Sequence, residues 1–184
     1  MIRKEIFLIT VFAFSFMFIA SLNYRINNPK LTLTFRTEPT MPDNSMSGIV
    51  ELMQKLSKNP EDIDTLKELG TIFMQMKAWD RALSFWNRIL KLQPKNRMAL
   101  SQSAYCYFQL SQYKKAADYY EMVLLLDRNN KDNYIINYNL GLIYFKFLKD
   151  KIKAKRYFQQ VLASSTADSS LKKEVKKILS QISN

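Results

Sequence analysis

The chain is 184 residues long and 47% hydrophobic, with a formal net charge of +12, no histidine and one cysteine. Without histidine there is no imidazole acid or base, no Ser–His or Cys–His nucleophile pair and no imidazole ligand for zinc or haem. Cys106 alone makes no internal disulfide, redox pair or thiolate cluster, and three glycines leave no phosphate-cradling loop, so the composition points to a binding protein without cofactor, metal or small-molecule substrate.

The first element is Ile6 to Leu22, seventeen residues without a charge. At about 1.5 Å per residue it is at the short end of a membrane span. Arg3 and Lys4 precede it, and Tyr24 sits where an interfacial aromatic belongs. A cleavable signal would want small residues three and one before its cut. Cuts after Ala20 or Ser21 put Phe18 or Ile19 at the outer position, so residues 1–24 are expected to stay as a transmembrane anchor through Ile6–Leu22. No cysteine follows the run to carry a lipid. An N-terminal anchor of this pattern implies an exported domain, single-pass in a bacterial inner membrane with the rest in the periplasm. Residues 25–47 contain Pro29, Pro39 and Pro42 among Asn, Thr and Ser and read as a linker.

Residues 48–184 form the folded domain. From Gly48 onward it holds 23 basic and 13 acidic residues, which favours acidic or anionic partners. Ile49, Leu52, Met53 and Leu56 share one helical face, and Asn59-Pro60 ends that helix. Next comes an internal repeat. Leu66, Leu69, Gly70 and Phe73 fit one helix; Ala82, Trp86 and Ile89 fit a second, closed by Pro94. Thirty-four residues on stand Leu100, Ser103, Ala104 and Tyr107, then Ala116, Tyr120 and Val123, with Arg128 at the proline position. A third copy, 37 residues after Ala104, has Leu140, Gly141 and Tyr144, then Ala154, Phe158 and Val161, with one extra residue expected between its helices. The repeats span about 63–96, 97–130 and 134–167.

This pattern resembles the tetratricopeptide repeat (TPR), large-x2-Leu-Gly-x2-Tyr, then Ala-x3-Phe, then Pro. The resemblance implies an all-α helix-turn-helix solenoid of about three repeats plus flanking helices. Small residues at Gly70, Ala104 and Gly141, and at Ala82, Ala116 and Ala154, let paired helices approach, while the aromatics fill the space between them. Cys106 is expected as a small buried helix residue. Asp168-Ser169-Ser170 can cap a terminal helix over 168–183, apolar along Leu171, Val175, Ile178, Leu179 and Ile182 and basic on the other side.

In TPR arrays the first helix of each pair (helix A) lines a concave groove. Carried over by register, the groove positions here are Lys67, Thr71, Met74 and Gln75; Ser101, Tyr105, Phe108 and Gln109; and Ile135, Tyr138, Leu142, Phe145 and Lys146. That lining suits the apolar stripe of a helical client. The two-carboxylate clamp of chaperone-docking TPRs is disfavoured, because Thr71 stands where its Asn would be. A basic patch of Lys149, Lys151, Lys153, Lys155 and Arg156 follows, suited to acidic protein or anionic lipid; nucleic acid is disfavoured for want of a groove-reading motif.

The stretch Met46-Ser47-Gly48-Ile49-Val50-Glu51-Leu52, then Lys58-Asn59-Pro60-Glu61-Asp62 and Leu69-Gly70, is similar to the TPR domain of bacterial cytochrome c biogenesis proteins. That similarity implies a subunit of the haem-attachment machinery, with apocytochrome c and haem lyase subunits as partners. The alternative is an assembly factor for another envelope complex, in outer-membrane, secretion or pilus machinery.

Overall fold

The structure, a computed structural model, describes residues 46–183. The run Ile6–Leu22 and the linker as far as Ser45 lie outside the described residues, and among the described residues no helix is long and apolar enough to cross a membrane. The described chain is all-helical, with eight α-helices and no strand. They are α1 Met46–Lys58, α2 Ile63–Gln75, α3 Trp79–Leu92, α4 Arg97–Gln109, α5 Tyr113–Leu126, α6 Asn133–Leu142, α7 Lys151–Ala163 and α8 Ser169–Ser183. A π-helical turn, Ile143–Phe147, continues α6 without a break. Each helix packs on the next, and α2–α3, α4–α5 and α6–α7 are the closest pairs.

Helix starts follow from capping chemistry. The Asp62 carboxylate accepts from the Asp64 and Thr65 amides (3.2 and 3.5 Å) and from the Thr65 hydroxyl (2.6 Å). One repeat later the Asn96 side chain accepts from the Ala99 amide at 2.9 Å. Asp150 and Asp168 do the same for α7 and α8, so Asp168 caps the terminal helix as its sequence implied. The Thr65 hydroxyl and then Lys55, 3.1 Å away, hold the Asp62 carboxyl down at about 2.

The pairs close small against bulky. A Cβ on Gly70 would lie 2.7 Å from the Trp86 ring, and one on Gly141 would lie 2.6 Å from Phe158. Ala104, Ala82, Ala116 and Ala154 are all fully buried, as are Trp86, Tyr120 and Phe158 to within 1%. Cys106 is buried too, and burial, followed by the charge of Asp80, pushes its thiol up to about 12. It is a packed core residue and not a reactive thiol.

A second layer recurs that the signature positions did not include. Phe73 meets Phe85, Tyr107 meets Tyr119 and Tyr144 meets Tyr157, with ring centroids 5.0–5.7 Å apart. Over the first ring of each pair sits a cation from the second helix: Arg81 at 5.7 Å, Lys115 at 5.4 Å and Lys153 at 4.7 Å. Each such contact is worth about 0.5–1 kcal/mol at a surface.

The third pair corrects one expectation. In the first two, the chain turns through a left-handed residue, Lys77 (φ 58°) or Ser111 (φ 59°). The next amide reaches back five residues, Ala78 to Phe73 and Gln112 to Tyr107, both 2.8 Å. In the third, Lys149 (φ 59°) turns and the Asp150 amide reaches back six, to Tyr144 at 2.9 Å. The extra residue is therefore not in the connection between helices. It is absorbed inside the helix as the π turn. Phe147, on that turn, stacks on Tyr113 at 4.0 Å and meets Phe108 edge-on at 5.4 Å.

The joint between the second and third pairs is also altered. Residues 127–132 separate α5 from α6, whereas residues 93–96 suffice between α3 and α4. Asn133 pins the longer connection. Its amide donates to the carbonyls of Asp127 (2.8 Å) and Arg128 (3.1 Å), and its oxygen accepts from Arg97 at 2.7 Å.

Ser103 stands where the other pairs have Leu69 and Leu140. It is fully buried, and its hydroxyl finds no hydrogen-bond partner among the described residues. Ser103→Ala removes that desolvated hydroxyl and improves helix propensity, and is expected to raise unfolding free energy by about 1 kcal/mol in urea titration. A loss of stability would mean the hydroxyl is satisfied.

Candidate functional site

The predicted groove residues divide into two sets. Met74, Tyr105, Tyr138 and Leu142 are buried and do not line an open surface. The Met74 sulfur accepts from the Trp86 indole at 3.2 Å, and Tyr105 meets Trp79 edge-on at 5.7 Å. Tyr138 packs against Phe158 and donates its hydroxyl to Glu174 of α8 at 2.7 Å, so the terminal helix covers this part of the A-helix face. Lys67, Thr71, Ser101, Phe108, Gln109, Ile135, Phe145 and Lys146 are half-buried and Gln75 is exposed. Lys67 pairs with Asp64 at 3.0 Å, Lys146 lies over the Phe145 ring at 4.8 Å, and Phe108 is drawn into the Tyr113–Phe147 cluster. The accessible face is thus more polar than its register implied. Gln75, Gln109 and Lys146 occupy one equivalent row, and Met98, 53% exposed, with Ile135 supplies apolar contact in another.

The patch of Lys149, Lys151, Lys153, Lys155 and Arg156 is exposed, around the start of α7. Ile152, at 85% the most exposed large apolar side chain among the described residues, stands within it.

A cleft that sequence reasoning missed opens between α5, α6 and α7. Its volume is about 540 Å³, and it is lined by Glu121, Leu124, Leu125, Arg128, Asn133, Asn137, Lys153, Arg156, Tyr157 and Gln160. A second recess of about 280 Å³ shares Arg128, Asn133, Asn137 and Gln160. At its edge the Glu121 carboxylate accepts from the hydroxyls of Tyr144 and Tyr157, both at 2.8 Å. Burial first, and then that carboxylate, holds both phenols well above the usual tyrosine range. The signal was present in the register. Asn137 takes the place of Leu66 and Leu100, both buried, and Arg128 takes the place of Pro94.

The sequence profile of the tetratricopeptide repeat matches residues 99–130 and 134–168, the second and third helix pairs. These segments are tetratricopeptide repeats. Helices α2 and α3 repeat the same small-on-bulky TPR closure one period earlier. The chain is similar to the uncharacterised protein ycf37 of Guillardia theta, 31% identical over 120 residues, which are 62% of this chain and 65% of that one. It therefore spans just under two thirds of that relative's length. Among solved structures it is similar to MamA (TM-score 0.60, 18% identity, 77% of this chain and 93% of that one). It is also similar to the first TPR of Spaghetti (RPAP3) bound to an HSP90 peptide, SRMEEVD (TM-score 0.58, 20% identity, 66% and 94%). At these identities the structures establish the TPR solenoid fold.

Proposed function

We propose that this chain is a membrane-tethered TPR scaffold that holds a polypeptide client on its A-helix face. The observation that carries the reading is that the zipper of Gly70–Trp86 and Gly141–Phe158 uses one side of each A helix. Thr71, Gln75, Met98, Ser101 and Ile135 keep accessible surface at corresponding turns of the others. Such a mixed lining suits a helix or extended segment bearing both amides and apolar side chains. The charge-free run Ile6–Leu22 supports the tether. An apocytochrome c segment presented to a haem lyase is the narrower client we propose. An envelope-complex assembly role is the alternative.

Photocrosslinking tests this reading. A benzoylphenylalanine in place of Ser101 should capture a client in membranes, and one in place of Ser84, exposed on α3, should not. Captured apocytochrome c would support the narrower client, and a different envelope protein the alternative. Identical capture from both positions, or none from Ser101, would refute the groove.

A further inference from the structure

We propose that the cleft between α5, α6 and α7 is a second, independent binding site that takes an acidic peptide segment carrying a large apolar side chain. The site does not depend on the A-helix face: its walls come from the second helices of two TPRs, α5 and α7, with α6 between them.

The cleft exists because the repeat is broken there. Residues 127–132 lengthen the connection, and the register places Arg128, Asn137 and Leu125 where the preceding repeat has Pro94, Leu100 and Lys91. The substitutions change both shape and chemistry. A leucine that would fill the joint is an amide, a lysine on the rim is a leucine that is 66% exposed, and a proline is an arginine. The resulting space of about 540 Å³ is within the range of pockets that hold a few residues of ligand.

Its charge selects the occupant. Arg128, Lys153 and Arg156 line it, against Glu121 alone. Glu121 is already engaged by two tyrosine hydroxyls, which leaves the cations without a carboxylate of their own in the cleft. Carboxylates of a partner would complete them, and the exposed Leu125 offers apolar contact beside them. A polynucleotide is a poorer fit. The tyrosine that could stack a base, Tyr157, lies against Tyr144 at 5.7 Å and under Arg156 at 5.3 Å, so no ring face is open.

The test is fluorescence anisotropy with the full chain in a non-ionic detergent. The probe is a fluorescein-labelled hexapeptide, Glu-Glu-Leu-Asp-Leu-Glu. Arg128→Glu combined with Arg156→Glu is expected to weaken binding at least about thirtyfold, and Leu125→Asp about tenfold. Lys172→Glu with Lys176→Glu makes the same charge change on α8 and should alter affinity less than about threefold. Circular dichroism confirms that each variant is folded. Absence of binding by the unaltered chain, equal weakening by the two double variants, or full displacement of the peptide by poly(U) RNA would each overturn the proposal. Unchanged crosslinking from Ser101 in the Arg128→Glu, Arg156→Glu variant separates this site from the A-helix face.

Discussion

Phe158→Ala is expected to destabilise the domain by about 3–5 kcal/mol, because it empties a fully buried ring position. Gly141→Val is expected to cost about 1–3 kcal/mol for the opposite reason. Its side chain would begin 2.6 Å from that same ring, and the ring has no free space to retreat into. The informative variant is the double one. With the ring gone, the added methyls fill part of the cavity, so the combined loss should fall short of the sum by about 1–3 kcal/mol. A urea unfolding cycle reads this directly. Simple additivity would mean that the two positions do not touch, and the small-on-bulky account of the pair would be wrong. Phe158→Leu offers a milder change should the alanine variant be too unstable to measure.

The second large effect is alkaline unfolding. Tyr120, Tyr138, Tyr144 and Tyr157 are each at most 5% exposed, and burial raises the pKa of all four. Hydrogen bonds to Glu174 and Glu121 raise three of them further. The folded state therefore holds these protons above the pH at which the unfolded chain, with a tyrosine value near 10, releases them. A raised pKa gives stability that is complete below about pH 10 and is lost as pH climbs from there toward the folded value. Once the unfolded tyrosines are ionised, four withheld protons cost on the order of 5 kcal/mol per pH unit. A domain of ordinary stability is then expected to unfold cooperatively within about one to two units above pH 10. Cys106, moved from 9.0 to about 12, acts in the same direction from slightly lower pH. Far-ultraviolet circular dichroism and phenolate absorbance should change together in a pH titration. Tyr120→Phe, which gives up only a 3.4 Å contact with Asn139, should move the midpoint upward. Phenolate formation well before loss of helix would show that the rings ionise in the folded state.

Acid acts through a different group. Asp62, held at about 2 by Thr65 and then Lys55, contributes stability that is present above about pH 4 and is lost as pH falls toward 2. Being at an exposed helix start, it shifts the acid limb of the curve without dominating it.

Much of the frame was readable from spacing alone. Gly70, Ala104 and Gly141 announce close approach, and Trp86, Tyr120 and Phe158 announce what fills it, because a residue's side of a helix follows from its position in the period. What spacing does not carry is which neighbour covers a given turn. Tyr138 has groove register, yet α8 lies over it and takes its hydroxyl through Glu174. Tyr105 has the same register, yet Trp79 from the preceding helix pair meets its ring. Met74 is unbranched and polarisable, and turns inward to the Trp86 indole. The extra residue of the third repeat was visible as a number, but a loop is the usual place for it. Only the six-residue reach from Asp150 to Tyr144 puts it inside the helix. The outer cleft was legible in principle, as an asparagine and an arginine at positions the period reserves for leucine and proline. Departures of that kind mark sites more reliably than the consensus does.

The central structural claim is that the aromatic rings of the second helices lie directly on the glycines of the first. The chain has three glycines, so glycine-selective labelling gives three signals. In two-dimensional NMR of the full chain in detergent, the α-protons of Gly70 and Gly141 should show nuclear Overhauser contacts to the rings of Trp86 and Phe158. They should also be displaced by ring currents. Random-coil shifts and no ring contacts at both glycines would contradict the paired-helix architecture and the client-holding role built on it.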